Sequence, residues 1–333
     1  MKVAKWWQER ENKILQCQLC PRNCLIKNNH KGFCGSRQNI EGTLFSLVYG
    51  YPVAINIDPI EKKPLFHFYP GSKIFSIGTI GCNLECKFCQ NFEIARNNYE
   101  RKRQDFVSPE DIVELAVNNE CKSIAFTYNE PTVFGEYVSD IAKVAKKNNL
   151  KTIMVTNGYI NEKPLKEIYK YIDAANIDLK SLSLEFYKDI CDGKLDSVLD
   201  SIKMIFDLGV FIELTNLIIP GLNDDVAIVN YLLKWVKNNL SINVPIHFSA
   251  FHPDYKMRNI QRTPKSILDR IVDQAKILGF NYVYEGNVMT NTHDNTYCPK
   301  CQKLLIERQI FAVIENKLKE PFCTCGEKIN IIL

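Results

Sequence analysis

The chain has 333 residues, 46% of them hydrophobic, and a formal net charge of +4. That length suggests about two domains, or one large domain with appendages, and the composition allows a substantial core. So small a charge makes no case for a nucleic-acid or membrane-surface partner; Met1 to Leu15 lacks the apolar run of a signal peptide, and no stretch is long enough to cross a bilayer. A cytoplasmic protein is expected, and there 13 cysteines point to metal or redox chemistry rather than disulfides.

Residues 1–70 form a cysteine-rich N-terminal segment and an extended connector. Cys17, Cys20 and Cys24, in the run Cys17-x2-Cys20-Pro21-Arg22-Asn23-Cys24, are followed by Cys34. Four thiolates close a site, for structural zinc or for an iron–sulfur cluster. The uneven gaps do not choose between them. Zinc is the expectation, because closed four-cysteine sites in loop-rich segments usually fold the loop. An electron-relay cluster is the alternative. The connector carries Asp58-Pro59-Ile60-Glu61-Lys62-Lys63-Pro64-Leu65-Phe66-His67-Phe68. We expect it to form a lid from which Lys62, Lys63 or His67 reaches a substrate; a packed connector with solvated charges is the alternative.

Residues 71–285 alternate strand and helix. Ile74–Ile77 reads as a short buried strand. Gly78 and Gly81 then allow a tight loop holding Cys82, Cys86 and Cys89, spaced C-x3-C-x2-C. A shuffled chain of this composition would show that spacing roughly 0.02 times. Three thiolates can hold three irons of a cubane cluster and leave the fourth open. The alternative is a zinc knuckle or a set of buried free thiols.

Further strands are predicted at 123–127, 152–156, 175–179, 211–219 and 246–249, which makes six. Helical spacing fills 134–149, 163–172, 195–208 and 224–239. Ser108-Pro109-Glu110-Asp111 carries an N-cap, a proline at the first helical position and acids in the first turn. Such alternation implies a parallel sheet with right-handed crossovers. A partial (β/α)6 barrel and a doubly wound open sheet both satisfy it. Either fold puts a ligand at the C-terminal ends of the strands, where the cysteine loop lies. Cys121 and Cys191 stand alone and are expected in the core.

Residues 286–333 hold Cys298, Cys301, Cys323 and Cys325, a zinc-ribbon-like set whose second knuckle is C-x-C. It is expected to pin the C-terminal segment over the barrel opening.

The cluster loop, with Phe88 before its last cysteine, resembles that of the radical SAM superfamily. Its core is similar to pyruvate formate-lyase activating enzymes. Several motifs in order, including Cys17-x2-Cys20-Pro21-Arg22, the Asp58 to Phe68 run, Tyr128-Asn129-Glu130-Pro131, Ser249-Ala250-Phe251-His252-Pro253 and Tyr297-Cys298-Pro299-Lys300-Cys301, resemble the AmmeMemoRadiSam system subfamily. The resemblance implies the partial (β/α)6 radical SAM barrel, with small cysteine-rich N-terminal and C-terminal metal-binding extensions. It implies a [4Fe-4S] cluster on Cys82, Cys86 and Cys89, and S-adenosylmethionine on its open iron. Glu130 would meet the ligand's ammonium group, with Asn129 beside it. Thr156 and Asn157 would meet the sugar or methionine part. Asp178 and Lys180 would close the fourth strand as a further grip, or stand as a structural ion pair. His252 would lie near the adenosine. Two departures stand out: Tyr128 and Asn129 replace glycines of the activases, and Val155 stands where those often have Asp.

The implied reaction is reductive cleavage to a 5′-deoxyadenosyl radical that abstracts hydrogen from a protein residue or small molecule. Implied partners are an electron donor such as flavodoxin or ferredoxin, and Memo-type and AMMECR-type proteins. A non-catalytic iron–sulfur or zinc scaffold, or a metal sensor, is the competing reading.

Overall fold

Short apolar runs buried on both faces are what a helix-covered parallel sheet requires. In the computed structural model, which describes residues 1–96, 105–289 and 293–333, they build one eight-stranded sheet. Ala54–Pro59 forms an antiparallel edge. Next to it, in spatial order, stand Lys73–Gly78, Ser123–Phe126, Lys151–Thr156, Ala174–Asp178, Phe211–Ile218, Ile246–Ala250 and Val283–Gly286, all parallel. Spatial order follows chain order from end to end. A doubly wound sheet would reverse direction at a switch point; this one never does, so it curls one way as a partial barrel. Its two edge strands do not pair, and the barrel is not closed.

Among the described residues six helices of eight or more residues follow the strands: Pro109–Asn118, Gly135–Lys147, Glu162–Tyr169, Leu195–Asp207, Val226–Asn239 and Lys265–Ile277. The first starts at a complete capping box. Ser108 Oγ accepts from the Asp111 N–H at 3.1 Å, and Asp111 Oδ2 accepts from the Ser108 N–H at 2.9 Å. The predicted six strands are present. The edge strand, the Lys265–Ile277 helix and the Val283–Gly286 strand are additions. Among the described residues no helix is long and apolar enough to cross a membrane.

The N-terminal segment forms two small three-stranded antiparallel sheets. It docks on the helix Gly135–Lys147 through a buried ion pair. Arg37 donates to Glu136 Oε1 at 2.6 Å and Oε2 at 2.7 Å, with both side chains 1% exposed. Near it, Trp6 Nε1 donates to Glu167 Oε2 at 2.9 Å.

Two expectations need correcting. The connector is a floor under the site rather than a lid over it. Side chains two apart on a strand share a face, so Glu213, Thr215 and Leu217 point into the barrel, as do His247 and Ser249. The connector runs across this inner face. Asn176 Nδ2 donates to the Pro64 carbonyl at 2.8 Å, the His67 N–H to Glu213 Oε1 at 2.7 Å, and Phe66 packs edge-on to His247 at 4.7 Å. His67 is fully buried, with its ring bonded to the Asn330 carbonyl and the Tyr284 hydroxyl. It lies outside the lining of the cavity at the C-terminal strand ends. Burial lowers its pKa to about 4.

The C-terminal segment does not cover the barrel opening. A three-stranded sheet, Thr296–Tyr297, Leu304–Gln309 and Ala312–Asn316, leads into a tail that pairs with the connector. Ile332 donates to the His67 carbonyl at 2.8 Å, Tyr69 donates to the Ile332 carbonyl at 2.7 Å, and Asn330 donates to the Asn243 carbonyl at 2.8 Å. All three contacts fall just before strand starts, at the end opposite the cysteine loop.

Candidate active site

Gly78 ends the first parallel strand where its neighbour comes very close. A Cβ there would stand 2.7 Å from the Thr127 carbonyl oxygen. Gly81 has φ +100, and a Cβ on it would meet Ser36 Oγ at 2.2 Å and the Cys34 carbonyl oxygen at 2.4 Å. Only glycine fits. The loop after Gly81 carries Cys82, Cys86 and Cys89 to the C-terminal ends of the strands. There all three line a cavity of about 450 Å³. Phe88, Asn129, Glu130, Thr156, Asn157, Asp178 and Lys180 also line it, and Lys62, Lys63 and Pro64 of the connector form its base.

The strand ends brace one another. Glu130 is buried. Its Oε1 accepts from Thr156 Oγ1 at 2.7 Å and the Thr132 N–H at 2.9 Å, and its Oε2 accepts from the Asn157 N–H at 2.8 Å. Burial raises its pKa against these donors. A carboxylate offers about four acceptor positions, so one remains for a ligand. Asn157 then reaches the cluster loop, donating to Asn83 Oδ1 at 2.9 Å and to Cys82 Sγ at 3.7 Å. Asn129 is used on the same loop. It accepts from the Thr79 N–H at 3.0 Å and donates to the Gly81 carbonyl at 2.8 Å. Its amide shapes the cysteine loop and leaves little for a cofactor.

Asp178 and Lys180 form an ion pair at 2.9 Å. Burial opposes the charge on Lys180, but Asp178, Cys86 and Cys191 hold its pKa well above the usual lysine range. Asp58 lies below the cavity, accepting from Lys63 at 2.7 Å, Tyr128 at 2.8 Å and Lys62 at 2.9 Å. Burial disfavours its charge, yet these donors hold the carboxyl well below the usual range. His252 is the exception among the predicted residues. It is exposed and does not line the cavity. Phe251 takes the buried place after the sixth parallel strand, its N–H bonded to Thr263 Oγ1 at 3.0 Å, and the next side chain turns outward.

Sequence reasoning missed Cys191. It is fully buried, as expected of a core thiol, but its partner is the cluster loop. A hydrogen bond with Cys191 lowers the Cys86 pKa below the usual thiol range, while burial pushes Cys191 well above it. The Glu85 and Lys87 N–H groups also bond to the Cys191 and Ile190 carbonyls at 2.8 and 3.0 Å. A cysteine a hundred residues downstream leaves no local signal of this contact.

The three cysteine groups differ in spread. Cys298, Cys301, Cys323 and Cys325 bring their sulfurs within 4.8 Å of one another, a geometry that can hold a metal ion. Among the described residues no three thiols of the Cys82 loop, or of the Cys17 to Cys34 group, converge that closely. The spread suits the cluster loop. One ion would draw the sulfurs to about 3.8 Å, whereas a cubane places each on a separate iron. Cys82, Cys86 and Cys89 thus fit three corners of a cluster, with a ligand-sized cavity beside them.

Residues 76–232 match the radical SAM superfamily. An uncharacterised protein of Methanocaldococcus jannaschii is 41% identical over 336 aligned positions, covering all of both chains. The pyruvate formate-lyase-activating enzyme of Clostridium pasteurianum is 23% identical over 201 residues, 56% of this chain and 82% of its own. Among solved structures, a radical SAM methyltransferase from Sphaerobacter thermophilus superposes with a TM-score of 0.51 at 12% identity, over 66% of this chain and 68% of that one. The match marks a radical SAM domain of that superfamily over 157 of the chain's 333 residues. Within it, the radical SAM domain is homologous to that of pyruvate formate-lyase activating enzymes.

Proposed function

We propose that the protein is a radical SAM enzyme that abstracts hydrogen from a protein residue or small molecule, in the manner of pyruvate formate-lyase activating enzymes. Cys82, Cys86 and Cys89 hold the [4Fe-4S] cluster, and the adjoining cavity takes S-adenosylmethionine. When bound, this pair supplies reductive cleavage of the sulfonium to a 5′-deoxyadenosyl radical. The chain's own residues bind, orient and exclude water. Glu130 offers its remaining acceptor position to the ligand's ammonium group. Asn157 and Asn129 hold the cysteine loop on the strand ends. The Asp178–Lys180 pair and Phe88 close the wall, and the connector seals the base against solvent. The C-terminal quartet takes zinc, since its geometry matches one tetrahedral ion. An electron donor such as flavodoxin or ferredoxin is part of the reading, and Memo-type and AMMECR-type proteins are its proposed partners.

The cavity carries this reading. A scaffold that only stored a cluster would need no ligand-sized space lined by the same three thiols and a buried carboxylate. The test is anaerobic reconstitution with iron and sulfide, then dithionite and S-adenosylmethionine, with 5′-deoxyadenosine as the readout. Formation that falls to background in Cys86→Ala supports the enzyme. A fully occupied cluster with no cleavage shifts the reading to a scaffold.

A further inference from the structure

We propose that Cys17, Cys20, Cys24 and Cys34 hold a second cubane iron–sulfur cluster, which passes electrons to the cluster on Cys82, Cys86 and Cys89. The relay rests on the radical SAM reading; the second cluster does not.

Spacing is the first argument. The four thiols line one enclosed, almost wholly apolar pocket. No three of them approach to within 4.8 Å, although the C-terminal quartet of the same chain does. That spread is wider than the about 3.8 Å to which one tetrahedral ion draws its sulfurs. Four thiolates on four irons at the corners of a cube fit the wider spread.

A buried donor supplies the second argument. Arg37 lines the pocket and is 1% exposed. Its terminal nitrogens are taken by Glu136 and the Lys5 carbonyl. Its Nε is buried with no hydrogen-bond partner. A buried N–H left unpaired costs about 1–3 kcal/mol. Cluster sulfur is an acceptor for it, and hydrogen bonds to the sulfurs are a means of setting cluster potential.

Position assigns the role. The wall of this pocket includes Asn83, the residue after Cys82. Arg22, between Cys20 and Cys24, donates from Nε to the Asn83 carbonyl at 2.5 Å. On the other side, Ser36 Oγ donates to the Ile80 carbonyl at 2.8 Å, and the Cys34 carbonyl touches Gly81. The cluster loop is thus clamped on both flanks by the segment that carries the four thiols. Two such centres would be neighbours, because Asn83, which follows Cys82 in the chain, lines the pocket of the four thiols. The transfer is one electron. A low-potential one-electron donor reduces the second cluster, and handing the electron to the first reoxidises it; no bond or proton moves.

The test uses the full chain, reconstituted without oxygen from ferrous iron and sulfide. A variant with Cys82→Ala, Cys86→Ala and Cys89→Ala should retain ~4 iron and ~4 labile sulfide per chain, and give a cluster signal by electron paramagnetic resonance once reduced. A variant that keeps no iron and gains a second equivalent of zinc overturns the proposal. The wild-type chain gives an independent measure. Two clusters this close should broaden each other's signals on full reduction. A single unbroadened signal with ~4 iron in wild type, together with a triple variant that holds no iron, overturns the proposal. If the triple variant keeps its cluster and wild type gains no further iron, the second cluster stands and the radical SAM assignment fails.

Discussion

The C-terminal cysteines face each other in pairs, Cys298 with Cys325 and Cys301 with Cys323, each 3.6 Å apart. Those of the N-terminal segment stand on the walls of a pocket. In sequence both are four thiols in a short, loop-rich stretch, and both invite a structural zinc. Folding separates them. The C-terminal pairs sit on two turns at the strand-start end of the barrel, each pairing a buried thiol, Cys298 or Cys323, with an exposed one, Cys325 or Cys301. The N-terminal four lie against the cluster loop, with Cys17 and Cys20 buried. One group ties down a tail far from the chemistry; the other adjoins it. The number of thiols does not choose the metal, but their spacing in space and what they touch do.

Removing one C-terminal ligand should have the largest effect on stability. If the quartet holds a metal ion as proposed, Cys298→Ser should release it and loosen the tail that pairs with Phe68, costing more than about 3 kcal/mol. Cleavage of S-adenosylmethionine at the other end of the barrel should survive wherever the chain remains folded. Thermal unfolding with metal analysis checks both. Loss of cleavage in folded protein would show that the tail is coupled to the site.

On the N-terminal side, Glu136→Gln leaves the Arg37 charge buried without its partner. Breaking a buried pair in this way costs about 3–5 kcal/mol, and some of it should appear as iron lost from the N-terminal thiols. Chemical denaturation and iron content measure the two parts. Iron retained at the wild-type level would separate Arg37 from the pocket it lines.

Gly81→Ala tests the contact between the N-terminal segment and the cluster loop. The new methyl would meet Cys34 and Ser36 from a backbone conformation that side chains rarely adopt. About 2–3 kcal/mol is expected, together with faster loss of the cluster on Cys82, Cys86 and Cys89 in air. A neutral result would mean that the segment can move away, and the close approach of the two thiol groups would no longer hold.

Much of this was legible before folding. The cysteine loop follows its strand as the spacing implied, and Glu130, Thr156 and Asn157 meet at one cavity because parallel strands end together. The sheet's winding was not legible, since periodicity does not encode strand order. Nor was the inner path of the connector. Its charges look solvated in sequence, yet Lys63 and Glu61 are buried against Asp58 and Arg308. Residues 283–286 were missed because a four-residue strand ending in Glu-Gly gives little apolar signal. His252 failed for a local reason: one residue of register past a strand reverses a side chain's direction.

The smallest effect concerns the tail and the connector it closes. His67 is buried neutral, bonded to the tail at the Asn330 carbonyl. Its pKa falls from the ordinary 6.5 to about 4, chiefly through burial. The unfolded chain therefore binds a proton between those values where the folded chain does not. Stability from this residue is present above pH 6.5 and is lost as pH falls towards 4. Between pH 7 and pH 5 the loss is about 2 kcal/mol. His67→Gln removes the titrating group and should flatten that part of the pH profile, even if it lowers stability at neutral pH. A slope unchanged in this variant would place the acid sensitivity elsewhere. A slope that vanished together with tail release in Cys298→Ser would show that His67 and the C-terminal metal hold the same contact.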